Sequence, residues 1–200
     1  MKLPPGHYLH LTSAPSFLEI AQKNHEEYLK ACERLDELSR TKGKGYDPEI
    51  QGCLIDKVNF GNITIVFSVT FLDAFIFDFA LLRLGIDYYE KHLDKLSIPS
   101  KFLMIPRLAG KQLVDEESSA YNQLNELVSC RNQLIHSRST VVKVGDQPNK
   151  RQRGIVEAKG KCAKGAIDTI RLILSAFDQG SGDDNGPDVV GYLEFLSKKS

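Results

Sequence analysis

The chain has 200 residues, an apolar fraction of 42% and equal numbers of acidic and basic residues, 26 of each. That is enough apolar chain for one domain with a real hydrophobic core, and a net charge of zero excludes a protein coated in basic charge for nucleic acid. Charge is nevertheless unevenly placed. From Arg131 to Lys164 nine basic residues face only Asp146 and Glu157, a net +7 that leaves −7 for the rest, the pattern of a local anion-binding face or a basic solvated loop.

Residues 1–15 are rich in Pro, Gly and His and read as an irregular leader without the apolar region of a secretory signal. Residues 16–180 read as one helical bundle, and residues 181–200 as a flexible linker and a short C-terminal helix. Ser16-Phe17-Leu18-Glu19 has the form of a capping box, predicting a first helix to about Thr41 with Phe17, Ala21, Tyr28, Cys32, Leu35 and Leu38 on its buried face. His25, among Asn24, Glu26 and Glu27, reads as solvated. Lys42 to Asn62 reads as a linker in which Asp47-Pro48 marks a turn or a short helix start.

Asn62 is placed to cap a second long helix, Ile63 to Leu84, ended by Gly85. It is the most apolar segment of the chain, yet Asp73, Asp78 and Arg83 interrupt it, each costing roughly 2.5–3.5 kcal/mol at a bilayer centre. A central bundle helix is the better reading, with no membrane partner. Two carboxylates on such a helix need partners. Arg131 or His136 is a candidate for Asp73, with Arg83 or a lysine as the purely structural choice.

A short helix is expected after Asp87, with His92 exposed, and a loop over Ser100 to Gly110. Asp115 is placed to cap the next helix. There Leu124, Leu127, Val128, Leu134 and Ile135 make one apolar stripe beside Arg131, Asn132 and His136. Asn132 and His136 stand one turn apart. Arg131 and His136 are separated by about 140° and 7.5 Å in an ideal helix, a gap that a long guanidinium stem largely closes. Beyond Ser139 two β-prone runs, Thr140 to Val144 and Ile155-Val156, flank a basic tip and suggest a small β-hairpin or a basic loop. A final long helix is expected from Ala158 to Phe177, and a short one after Pro187. Cys32, Cys53, Cys130 and Cys162 form no C-x-x-C pair and read as core thiols of a cytoplasmic protein.

Arg131-Asn132-Gln133-Leu134-Ile135-His136 resembles the R-N-x-x-x-H motif of the HEPN superfamily of helical-bundle proteins, and Leu72-Asp73-Ala74-Phe75-Ile76 is similar to a segment common on an earlier helix there. The resemblance implies an all-α bundle of four to five helices, here with the hairpin or basic loop inserted. It implies a metal-independent endoribonuclease, often a toxin or a defence or stress effector, without cofactor, whose site forms where two motif helices meet in a homodimer. Arg131, Asn132 and His136 would be catalytic, with Asp73 or Asp78 as a supporting acid. Arg138, Lys150, Arg151 and Arg153 would hold the RNA backbone. A cognate inhibitor protein is a further implied partner. The alternative reading is a non-catalytic module of the same type that binds nucleotide or a partner protein.

Overall fold

The computed structural model describes residues 12–42, 47–110, 114–136, 150–178 and 189–197. Among the described residues every regular element is a helix: α1 (Ala14–Thr41), α2 (Pro48–Leu84), α3 (Ile86–His92), α4 (Ile98–Leu108), α5 (Ser119–Ile135), α6 (Lys150–Asp178) and α7 (Val189–Ser197). The all-α expectation holds, with more helices than the four or five anticipated.

The centre of the arrangement is α2, which packs along α1 and also meets α3, α4, α5 and α6. At 37 residues it is about 55 Å long, and it begins well before the Ile63 expected. The linker reading fails because Asp47 is a complete N-cap. Its carboxylate accepts from the amides of Glu49 at 2.8 Å and Ile50 at 3.3 Å, and Pro48 occupies the first helical position, where its fixed φ and missing N–H cost nothing. At the other end Gly85, with φ +83°, takes a backbone conformation that L side chains resist. By length and composition α2 is long and apolar enough to cross a membrane. Here Ile65, Val69, Phe71, Leu72, Phe75, Ile76 and Phe79 are covered by protein, each 0–2% exposed.

The core is built on aromatic edges. Phe177, near the end of α6, receives Phe75 and Phe79 of α2 edge-on at 5.2 and 4.7 Å, and lies 5.8 Å from Phe102 of α4. Tyr192 of α7 meets Phe71 at 5.3 Å and Phe75 at 6.0 Å, and the guanidinium of Arg171 donates to the Leu196 carbonyl at 3.0 Å. The C-terminal helix is thereby docked on its own bundle.

Other boundaries moved for identifiable reasons. Ser13, not Ser16, precedes α1 and makes no side-chain cap bond. Thr12 serves instead, its hydroxyl accepting from the Ala14 amide at 3.0 Å and donating to the Asp78 carboxylate. The expected loop after Ile98-Pro99 is α4, because Ser97 caps it through the Ser100 amide and proline is tolerated in a first turn. Asp115 bonds the Glu117 amide in the turn before α5, while Ser118 is the helix cap, accepting from Tyr121 at 3.2 Å. Ile155-Val156 is helical, since α6 already starts at Lys150. The second run of the expected hairpin is therefore corrected, and Thr140 to Val144 lies outside the described residues.

His25 also departs from expectation. It is half-buried between α1 and α6, with Nδ1 3.0 Å from the Ala163 carbonyl. A carbonyl can only accept, so the neutral ring carries its proton on Nδ1. Burial pushes its pKa below the ordinary value, opposed by the Ala163 bond and by the field of Asp168, with Arg171 adding to the lowering and Glu26 opposing it.

Two outcomes follow for stability. Replacing Phe177 by alanine removes the ring on which α2, α4 and α6 converge and should cost about 3–5 kcal/mol, read from urea denaturation. For His25 the unfolded state binds the proton first as pH falls. Its contribution is fully present above pH ~6.5 and is lost as pH drops towards the lower folded pKa. The urea midpoint of the wild type should therefore fall more steeply between pH 7.5 and 5.5 than that of His25→Gln.

Candidate functional site

The motif helix α5 buries Ala120, Leu124, Leu127 and Cys130; of the expected stripe Leu124 and Leu127 are buried, Val128 and Leu134 are half-buried, and Ile135, at the end of the helix, is 54% exposed, which corrects its placement in the core. Polar Asn125, Ser129, Asn132 and His136 run along the helix at steps of four, three and four, so they share one face. Together with Ser97 and Pro99 at the start of α4, and Val128 and Gln133, they line an open groove of about 580 Å³. α4 thus contributes a wall that the motif alone did not reveal. The signal for Asn125 and Ser129 was present, since they extend the Asn132–His136 face back along the helix.

His136 is the residue at which α5 ends. Its backbone is no longer helical, at φ −104° and ψ 13°, and its amide donates to the Asn132 carbonyl at 2.9 Å. Both side chains are exposed. Arg131 is half-buried and is not among the residues lining the groove. Its Nε is buried with no hydrogen-bond partner, and among the described residues it forms no ion pair with any carboxylate. A guanidinium fork matches a carboxylate or phosphate by paired hydrogen bonds, and no described carboxylate takes that place on Arg131.

The two candidate acids are engaged elsewhere. Asp73 pairs with Lys101 of α4 at 3.3 Å, the structural choice among its possible partners. Lys101 is only 6% exposed. Burial opposes its charge, but Tyr89 and Asp73 outweigh that and hold its pKa above the ordinary value. Asp78, 5% exposed, receives the Thr12 hydroxyl. The structure does not bring either carboxylate to Arg131 or His136.

Of the residues expected to hold an RNA backbone, Arg138 lies outside the described residues. Lys150, Arg151 and Arg153 are placed on the first turn of α6 by their backbone alone. Further along the basic segment Lys161 pairs with Glu126 of α5 at 3.0 Å, an exposed bridge of small energetic weight.

The residue before Arg131 carries a link that the sequence did not signal. Cys130 of α5 and Cys162 of α6 are joined as a disulfide across the helix pair, and Cys32 and Cys53 are free. The reading of four core thiols is corrected for this pair, which closes a sequence separation of 32 residues. Reduction should lower the unfolding free energy by about 2–4 kcal/mol. The urea midpoint should fall on adding dithiothreitol in the wild type and not in a Cys130→Ser/Cys162→Ser variant.

Comparison with known proteins finds no matching family model, no matching curated protein and no matching solved structure, so the functional reading rests on the residues and their geometry.

Proposed function

We propose that the chain is a metal-independent endoribonuclease of the HEPN type. It acts as a homodimer, in the manner of toxin or defence effectors, and a cognate inhibitor protein restrains it. The observation that carries this reading is the combination at the end of α5: Asn132 and His136 exposed on one open groove, with Arg131 beside them lacking any carboxylate partner among the described residues.

RNA brings its own nucleophile, so the protein must supply proton transfer and charge stabilisation. A base removes the proton of the ribose 2′-hydroxyl, and its oxygen attacks the adjacent phosphorus. The bond to the 5′-oxygen then breaks, and an acid protonates that leaving oxygen. The products are a 2′,3′-cyclic phosphate and a free 5′-hydroxyl. His136 is the proton-transfer group. Arg131 binds the phosphate oxygens as negative charge grows on them, and Asn132, one turn earlier, orients the imidazole or the phosphate. One chain supplies a single motif histidine, and a second subunit would supply the other. Ile135, adjacent to His136 and 54% exposed, is a large aliphatic side chain whose burial would favour such a contact. Arg138, Lys150, Arg151 and Arg153 would track the RNA backbone, making binding steeply salt-dependent.

The second reading is the non-catalytic module that binds nucleotide or a partner protein. It is favoured by one observation: Arg131 is half-buried and does not line the groove that holds His136.

Cleavage of single-stranded RNA in EDTA separates the two. On the first reading the wild type yields cyclic-phosphate ends, and His136→Ala loses about 10²–10⁴-fold in rate. RNA or nucleotide bound without cleavage, and unaffected by His136→Ala, establishes the second. Undiminished cleavage by the variant places the activity outside this motif.

A further inference from the structure

A separate recess opens where α6 crosses α1 and α2, with a volume of about 190 Å³. None of Arg131, Asn132 and His136 lines it. Two glycines let its walls come close together. A Cβ on Gly61 would stand 3.1 Å from the Tyr28 ring and 3.3 Å from the Ala163 Cβ, so the helices close around an absent side chain. Gly160 accepts a hydrogen bond from the Tyr28 hydroxyl at 3.1 Å, which holds the ring as a wall. Ile65 and Ala163 supply the inner apolar surface. Val58 and Val156, 54% and 69% exposed, also line the recess and keep branched aliphatic side chains in water.

The polar residues of this recess are Lys57, Lys159 and Asn62. All three are half-buried, and among the described residues none has a hydrogen bond or ion pair. Lys30, Lys42, Lys101 and Lys161 each hold a carboxylate, and the other described lysines without one, Lys23, Lys91, Lys95 and Lys164, are exposed, whereas Lys57 and Lys159 are half-buried. The neighbouring Asp56 and Glu157 do not line the recess. Two lysines and an asparagine therefore border an apolar hollow with no anion supplied by the described residues.

We propose that this recess binds a small free monocarboxylate with an aromatic or branched apolar body. The size fits, because a cavity of about 150 Å³ lined by aliphatic and aromatic side chains accepts benzene. A ring carrying a short acidic arm fills the hollow with its apolar part. Its carboxylate then meets Lys57, Lys159 and the Asn62 amide, a charge-assisted arrangement that partial burial strengthens relative to open water. The ring also covers Val58 and Val156.

The test is a methyl-resolved NMR titration of the full chain with phenylacetate, 2-phenylethanol and acetate. Phenylacetate should shift the Val58, Ile65 and Val156 methyls with an affinity on the order of millimolar, as expected for a ligand of this size. The alcohol, with the same body and no charge, should bind about tenfold more weakly, and acetate should leave those methyls unmoved. A Lys57→Met/Lys159→Met variant should lose phenylacetate affinity about tenfold while its other methyl signals stay in place. Absence of shifts at these methyls, or equal binding of acid and alcohol by the wild type, overturns the proposal whether or not the variant folds.

Discussion

The structure depends on covering one helix that cannot face water. Phe71, Phe75 and Phe79 lie along α2 at helical spacing and are 0–2% exposed, and the last two meet the edge of Phe177. Burial of a large aromatic side chain removes on the order of 150–250 Å² from solvent, and edge-to-face packing adds a directional preference. α1 lies along the same helix, α4 reaches Phe177 through Phe102, and α7 adds Tyr192 over Phe71 and Phe75. An element apolar enough for a lipid bilayer is thereby solvated by the rest of its own chain.

That constraint explains where polar chemistry is permitted. In the apolar half of α2 the two acidic residues are matched to partners from outside the helix, Asp73 to Lys101 and Asp78 to Thr12, because an isolated charge so near the core would be expensive. α5 contributes only one apolar stripe to the core, so its opposite face can carry Asn125, Ser129, Asn132 and His136 to the surface at no packing cost. Arg131 sits at the border, its Nε buried and its guanidinium paired with no carboxylate among the described residues. The helix that holds it is tied to α6 by the Cys130–Cys162 link one residue earlier, so its position is set by the core rather than by the groove.

The same packing logic generates the second recess. Gly61 and Gly160 let α1, α2 and α6 approach around the Tyr28 ring, and the recess opens beside that close crossing, between Lys57, Val58, Val156 and Lys159. The groove on α5 is open and polar, whereas the recess at Gly61 is narrow and mainly apolar with lysines beside it. The ligands proposed for them differ accordingly: an extended phosphodiester for one, a compact apolar acid for the other.

Periodicity alone determined the helical class, the burial of Leu124 and Leu127 on α5, the end of α2 at Gly85 and the shared face of Asn132 and His136. These are local consequences of 3.6 residues per turn and of which side chains avoid water. It did not determine where helices begin when a short cap outweighs a turn-like composition, as at Asp47-Pro48 and Ser97-Ile98-Pro99. It also missed His25, whose neighbours in sequence are polar and whose neighbour in space is the Ala163 carbonyl. Only the tertiary structure decided that Asp73 belongs to Lys101, that Cys130 meets Cys162, and that Arg131 stands outside the groove of His136. Each depends on which residues a second helix brings across from tens of positions away, and helical spacing within one segment carries no record of that.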